Sequence, residues 1–511
     1  MRGARAKYAV GAALAALSFA VCFFSFNLGH GWGDDFAEYI GQAIALWNGD
    51  IAGQIAANGF IIAHTPMGLG PVAYPWGLPL ALAPLYGAFG LSLTVFKQVG
   101  IVCYALFIFF LFLYYEKRLG GLWAAVLTLL FAVNPVMVSA TNVIGSDVPF
   151  LLISTLALMA MESLLRGGAP RRQYAMGALT GVLILMAFLF RTNGLVLLLA
   201  LLCMQAIILP PWKLGRWMVR GGAPCENPRW LAQALPYLIF IPAYLLVNRL
   251  LPAGGESHLQ YSALISLRSM KNNALYYATL FHRFLAVPVG GRALYFTVTG
   301  LFLLGAIRQA RRYALPLIYM LGTMALYVVW PSQQGLRFLF PVLPVYILFA
   351  ALGIKELAAF VARSRARILE YAALWAVLFL CVVMGSSAAS LAVQNMERGR
   401  ADTQGAYARG ALAAYQYVQD NTEADAVVAF RRPRVFFLST HRLSFSPNAE
   451  IERLKDADYL LIVSGMPDSS RQVTDLYTPE QIQEKFGFTL EQMHQDANFT
   501  LYRIEKAPPG A

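Results

Sequence analysis

AVGAALAALSFAVCFFSFNLGHGWGDDFAEYIGQAIALWNGD, residues 9–50, places an apolar run directly before a pair of carboxylates. Residues 9–26 carry no charge and are long enough to cross a bilayer as a helix. Arg2, Arg5 and Lys7 precede them, as in a signal peptide. The run exceeds a usual signal core and lacks a clear small-x-small cleavage site, so it reads as an uncleaved first span with its N-terminus in the cytoplasm. Asp34 and Asp35 then stand where the apolar run has ended. After them Phe36, Tyr39, Ile40, Ala43, Ile44 and Trp47 recur at helical spacing, with Glu38, Gln42 and Asn48 on the other side. That is an amphipathic helix suited to the membrane interface. Asp35 with Glu38 three residues on also fits a capping box, which explains one carboxylate and leaves Asp34 without a role.

The rest of the chain agrees with a membrane reading. Of 511 residues 58% are hydrophobic and 13% charged, against about 25% charged in soluble proteins. Further apolar runs of spanning length indicate helices, not the short alternating segments of a barrel. The net charge of +13 is the excess of Lys and Arg expected in cytoplasmic loops; it does not indicate a nucleic-acid partner. None of the five cysteines has a metal or disulfide spacing.

The basic clusters set the topology. Lys117/Arg118, Arg166/Arg171/Arg172, Lys213/Arg216/Arg220, Arg308/Arg311/Arg312 and Lys355/Arg363/Arg365/Arg367 belong on the cytoplasmic side. Between them the segments pair outward and back: 121–140 with 148–165, 176–190 with 194–210, 233–251 with 293–307, and 314–330 with 338–354. Segment 98–115 is the second span and 371–391 the last. Residues 76–93 carry Pro79 and Pro84, which disrupt regular helix, and crossing there would misplace Lys117 and Arg118. This segment is therefore juxtamembrane. The expectation is a polytopic α-helical membrane protein of about eleven spans, residues 1–393. It has outer loops at 29–97 and 252–292 and an extracytoplasmic soluble α/β domain at 394–511. In that domain ADTQGAYARGALAAYQYVQD, RVFFLST and PEQIQEKFG read as helices, and AVVAF, YLLIV and FTLYRIEK as strands.

On this topology acidic groups lie at the outer ends of early segments and basic groups on later outer loops. Asp147 precedes a returning span, where it also reads as a helix cap. Arg191 stands at the tip of an outward pair and Arg337 at the start of another span. The 252–292 loop adds His258, Tyr261, Arg268, Lys271, His282, Arg283 and Arg292. Each single cation reads equally as a snorkelling side chain. His64, His258 and His282 have no ligand spacing. Tyr74 and Trp76 read as packing aromatics or as a platform for substrate. One chemistry uses this division of charge: a carboxylate takes a proton from an attacking hydroxyl while cations receive a phosphate leaving group. The rival readings are a flippase or transporter for lipid-linked sugars and a sensor or scaffold. Few ionisable residues lie within the spans, where a transport path places them.

The ordered motifs resemble the C-type integral-membrane glycosyltransferases, in the bacterial branch similar to protein mannosyltransferases and lipid A aminoarabinose transferases. GDDFAEYIGQAIALWNGD resembles the family's first outer loop, with Asp35 and Tyr39 at the catalytic position and Asp34 as the alternative. AYPWGLPLALAPLYGAFG resembles its Pro-rich segment, with Trp76 where a second Pro is usual. LWAAVLTLLFAVNPVMVSATNVIGSDVPFLL leads to the second acidic residue, Asp147. GALTGVLILMAFLFRTNG ends in Arg191. GLRFLFPVLP supplies Arg337, Pro341 and Pro344. The resemblance implies a polyprenyl-phosphate-linked sugar donor and a glycan, lipid or protein acceptor. It also implies inverting transfer at the periplasmic face of a bacterial inner membrane. Asp35 is the implied base, Asp147 the residue that orients it or the acceptor. Arg337 and Arg191 are the phosphate ligands on this mapping, and Arg268 and Lys271 join them as basic residues of the outer 252–292 loop; Tyr39, Tyr74 and His64 complete the expected substrate-binding set. Some members use a divalent metal, for which the sequence shows no ligand set.

Overall fold

In a bilayer the backbone must satisfy its own hydrogen bonds, so apolar runs of this length become helices. The computed structural model describes residues 2–66, 70–209, 229–251, 265–285, 290–361, 363–401, 404–466 and 472–506. Lys213, Arg216 and Arg220 lie outside them, as do His258 and Tyr261. A helix falls on each expected span segment. Among the described residues six helices are long and apolar enough to cross a membrane: Arg5–Ser25, Leu93–Leu119, Asp147–Leu165, Pro170–Phe190, Trp230–Leu250 and Arg365–Glu397. The segment read as one span at 121–140 is two helices, Gly121–Ala132 and Pro135–Thr141, bent by 57°. Counting the pair as one span brings the number to 7. The break has a local cause. Pro135 has no amide hydrogen to continue the ladder, and Asn134 Oδ1 starts a new helix by accepting from the amides of Val136 and Met137. The protein is thus a multi-pass helical membrane protein with a small C-terminal sheet.

Charges gather at the two ends of the bundle. At one end Arg118 pairs with Glu162, Lys355 Nζ donates to the Leu119 carbonyl at 2.7 Å, and Arg308 meets Glu356 at 3.5 Å. At the other end of the helix Leu93–Leu119, Lys97 is 1% exposed. Its ammonium reaches the Asn27 carbonyl at 2.9 Å, Asn27 Oδ1 at 2.7 Å, Asn142 Oδ1 at 2.8 Å and the Gly29 carbonyl. A buried cation is stable only when its protons are taken up in this way. His30 Nε2 accepts from the Ile144 amide at 3.1 Å, and its ring stacks on Phe36. Lys97 and His30 therefore fix the chain between the first helix and Asp34.

The C-terminal sheet contains β1 (Val428–Ala429), β2 (Ser444–Phe445), β3 (Tyr459–Val463), β4 (Phe488–Gln495) and β5 (Phe499–Lys506), in the order β2-β1-β3-β5-β4. β1 pairs parallel with β2 and β3, while β5 runs antiparallel to β3 and β4. The expected helices correspond to Arg409–Asn421, Pro433–Thr440 and Pro479–Phe486. Sequence reading misses β2, which has 2 residues, and β4. β4 is an edge strand without a fully buried residue and with a register shift between Gln492 and His494, so it lacks a clean alternation.

Candidate active site at the membrane interface

The site is built around the helix Asp35–Asn48. Gly49, at φ 76, closes it in the left-handed region, and Asp50 opens Ile51–His64 by accepting from the Gly53 amide at 3.0 Å. The expected capping box does not form: the N-cap is Asp34, which makes no side-chain bond to this helix. Of the expected polar face only Asn48, at the helix end, meets water. Glu38 is 2% exposed and Gln42 0%, because the C-terminal domain and the segment 70–76 cover them. Gln42 holds Tyr74 by two backbone bonds, donating to its carbonyl at 3.1 Å and accepting from its amide at 2.9 Å.

This clamp aims Tyr74 at Asp35. The Tyr74 hydroxyl donates to Asp35 Oδ1 at 2.7 Å, and Tyr39, one turn along, packs its ring 4.9 Å from that of Tyr74. Arg337 Nη1 donates to Asp35 Oδ2 at 3.0 Å and Nη2 to Gln334 Oε1 at 3.0 Å. Gly335, at φ 73, turns the chain into the short 3-10 turn Leu336–Leu339 that carries Arg337. The helix Leu267–Leu280 braces that loop. Asn273 Nδ2 donates to the Trp330 carbonyl at 2.6 Å, and the Tyr277 hydroxyl accepts from the Gln334 amide at 3.1 Å. Asp35 remains accessible, its side chain 44% exposed and that of Arg337 42%. Loss of water opposes the charge on Asp35. Arg337, the Tyr74 hydroxyl and Arg434 outweigh that loss and hold its carboxyl below the usual carboxylate range.

A second ion pair lies alongside. Asp147 does not cap its helix; it pairs with Arg191. The preceding Ser146 shares a hydrogen bond with the Tyr39 hydroxyl at 3.0 Å. Arg191 follows Phe190, where Gly77 packs so closely that a Cβ would lie 2.7 Å from the Leu189 carbonyl carbon. Phe338 lies between the cations, its ring 4.8 Å from the Arg191 guanidinium and 5.9 Å from that of Arg337. Asp147 also contributes to raising the pKa of Arg337, against desolvation. Six expected residues, Asp35, Tyr39, Tyr74, Asp147, Arg191 and Arg337, thus share one site.

The remaining expected residues lie elsewhere. Asp34 is 4% exposed and faces the C-terminal domain, where its Oδ1 accepts from the amide of Arg434 at 3.2 Å and lies 3.5 Å from that of Val435. It caps the helix Pro433–Thr440 from another part of the chain, with Arg432 3.6 Å away. Burial raises the Asp34 pKa against the pull of Arg432 and Arg434. His64 stacks on Phe60 and lies 5.7 Å from Phe445, in the seam with the C-terminal sheet. Arg268 and Lys271 are exposed and make no ion pair among the described residues, and His282, Arg283 and Arg292 are also exposed. Loop 252–292 reaches the site through Asn273 and Tyr277, which sequence reasoning missed. Phe338 and Arg434 were missed as well. Among the described residues no group of three His, Cys, Asp or Glu side chains is placed to hold a metal ion. The acids of the site face arginines, a donor set that does not fit a divalent cation.

No protein-family model matches the chain, and no curated protein matches it. Solved structures do. ArnT from Cupriavidus metallidurans bound to undecaprenyl phosphate is 14% identical, with a TM-score of 0.55 over 96% of this chain and 97% of that one. The archaeal oligosaccharyltransferase AglB from Archaeoglobus fulgidus, in complex with an inhibitory peptide and a dolichol-phosphate, is 12% identical. Its TM-score is 0.55 over 89% of this chain and 69% of that one. Identities this low show a shared fold. These neighbours are C-type glycosyltransferases, and the fold expected from the motifs is the one the chain has.

Proposed function

We propose that the protein transfers a glycosyl group from a polyprenyl-phosphate carrier to an acceptor hydroxyl at the periplasmic face of the inner membrane. Residues 1–393 form the eleven-span membrane domain of this reading, and residues 394–511 the periplasmic domain. The observation that carries it is the Asp35–Arg337 pair, an accessible carboxylate and guanidinium from positions 302 residues apart. The lipid phosphates bound to the two fold neighbours support it.

The chemistry follows from the geometry. Arg337 and Arg191, flanking Phe338, receive the carrier phosphate, whose arrival draws Arg337 from Asp35. Asp35 Oδ2 then takes the acceptor O–H proton as the acceptor oxygen attacks the anomeric carbon. The anomeric C–O bond breaks, and its electron pair leaves with the polyprenyl phosphate. Attack opposite the leaving group inverts the anomeric carbon. The lowered pKa of Asp35 keeps it ionised and ready, and the two cations stabilise the charge that develops on the phosphate. Asp147 holds Arg191 in place. Cells lacking the protein are expected to accumulate the lipid-linked sugar, and membranes carrying D35N are expected not to consume it. A folded D35N variant that transfers at the wild-type rate overturns this reading.

A further inference from the structure

Arg434 is the largest fully buried side chain of the described residues, and it belongs to the C-terminal domain. Its Nε donates to Asn58 Oδ1 at 2.7 Å, Nη2 to the Pro71 carbonyl at 3.1 Å and Nη1 to the Tyr74 hydroxyl at 3.2 Å. Glu38 Oε2 lies 4.0 Å from Nε, and Gln54 donates to that same oxygen at 3.2 Å. The guanidinium is thus fixed from three segments of the 29–97 loop: the helices Asp35–Asn48 and Ile51–His64 and residues 70–76.

A guanidinium can only donate hydrogen bonds. The Tyr74 oxygen that faces Nη1 must therefore accept, and its single proton must point elsewhere. That proton goes to Asp35 Oδ1, at 2.7 Å, which as an ionised carboxylate can only accept. Arg434 so holds the Tyr74 oxygen at the position from which it donates to Asp35. With Oδ1 engaged, Oδ2 is the oxygen turned to Arg337.

We propose that Arg434 is a positioning residue of the transfer site: by donating to the Tyr74 hydroxyl, the C-terminal domain orients Asp35 so that Oδ2, released when the carrier phosphate draws Arg337 away, is the oxygen that receives a proton. This inference rests on the reading of Asp35 as the base. It makes the C-terminal domain part of the reaction machinery, although none of its residues touches substrate in this account.

The test is a double-mutant cycle on the full-length protein in detergent, with the lipid-linked sugar extracted from deletion cells as donor probe. R434M is expected to lower kcat by about 10- to 100-fold, the scale of a small misplacement, with the donor KM within about threefold. Y74F is expected to fall as far. The double variant is expected to be no worse than the poorer single one, because both changes remove the same bond. R434K, which can donate to Tyr74 without the full fork, is expected to recover part of kcat. Multiplicative losses in the double variant, or full activity of R434M, overturn the proposal. If R434M does not survive extraction, Y74F and R434K decide: wild-type kcat in Y74F, or no activity in a folded R434K, overturns it. D35N separates the two levels. An active D35N removes the base reading itself, whereas an inactive D35N beside an active R434M removes only the role of Arg434.

Discussion

The helix Asp35–Asn48 and the residue before it carry carboxylates that are open to solvent on one side and covered by the C-terminal domain on the other, and the two settings treat the same chemical group in opposite ways. Asp35 is 44% exposed and held ionised by Arg337 and Tyr74. Asp34 and Glu38 are almost fully buried. Burial raises Asp34, and it pushes Glu38 up to about 7 against the pull of Arg434. On the proposed reading adjacent carboxylates divide the work. One keeps the access and the charge that a proton acceptor needs, and the other caps a helix of the C-terminal domain.

The division can be tested from its largest consequence down. D35N is expected to lower sugar transfer by at least about 10³-fold, in the upper range for loss of a general base, with the folded protein retained on size-exclusion chromatography. R337M is expected to cost about 10²-fold, the scale of a removed oxyanion donor. It is also expected to move the acid limb of the pH–rate profile upward. The sign follows from Asp35: its lowered pKa keeps the base active as pH falls below the usual carboxylate range, and loss of the Arg337 charge raises that pKa. D34N keeps the capping oxygen, so at least about one tenth of wild-type transfer is expected to remain; D34A is expected to lose about 1 kcal/mol of stability. A D34N variant as inactive as D35N would break the comparison.

The smallest effect concerns Glu38. Its folded pKa is raised, so the folded state binds the extra proton and stability falls as pH rises from about 4.5 to about 7. The thermal stability of the wild type relative to E38Q is expected to decline through that window, by a few degrees in Tm. A constant difference would show that Glu38 titrates normally.

Much of this was legible in the sequence, for identifiable reasons. The span segments follow from apolar length, and a helix falls on each. Asp35, Asp147, Arg191 and Arg337 stand at segment ends, whereas Tyr39 follows only from the family's spacing of an acid and a tyrosine four positions on. What failed concerns partners far along the chain. Glu38 and Gln42 have the spacing of a solvated face, and nothing within that helix reveals that residues 70–76 and 434 cover it. Arg434 stood in a basic run, Arg431, Arg432 and Arg434, that reads equally as a solvated patch. Its burial depends on the docking of the helix Pro433–Thr440, a tertiary event without local periodicity. Asn273 and Tyr277 were overshadowed in their loop by cations whose side chains point to solvent.

The bond from Asp34 to the Arg434 amide closes a separation of 400 residues. It has a consequence for synthesis. On the proposed reading, the segment that carries Asp34 and Tyr74 is made early, but Tyr74 has no Arg434 and Asp34 no helix to cap until the domain holding Pro433–Thr440 has crossed the membrane and folded. A chain that stops short of that helix leaves Asp35 without the frame that directs it, so the proposed site is complete only when residues 400 positions apart have met.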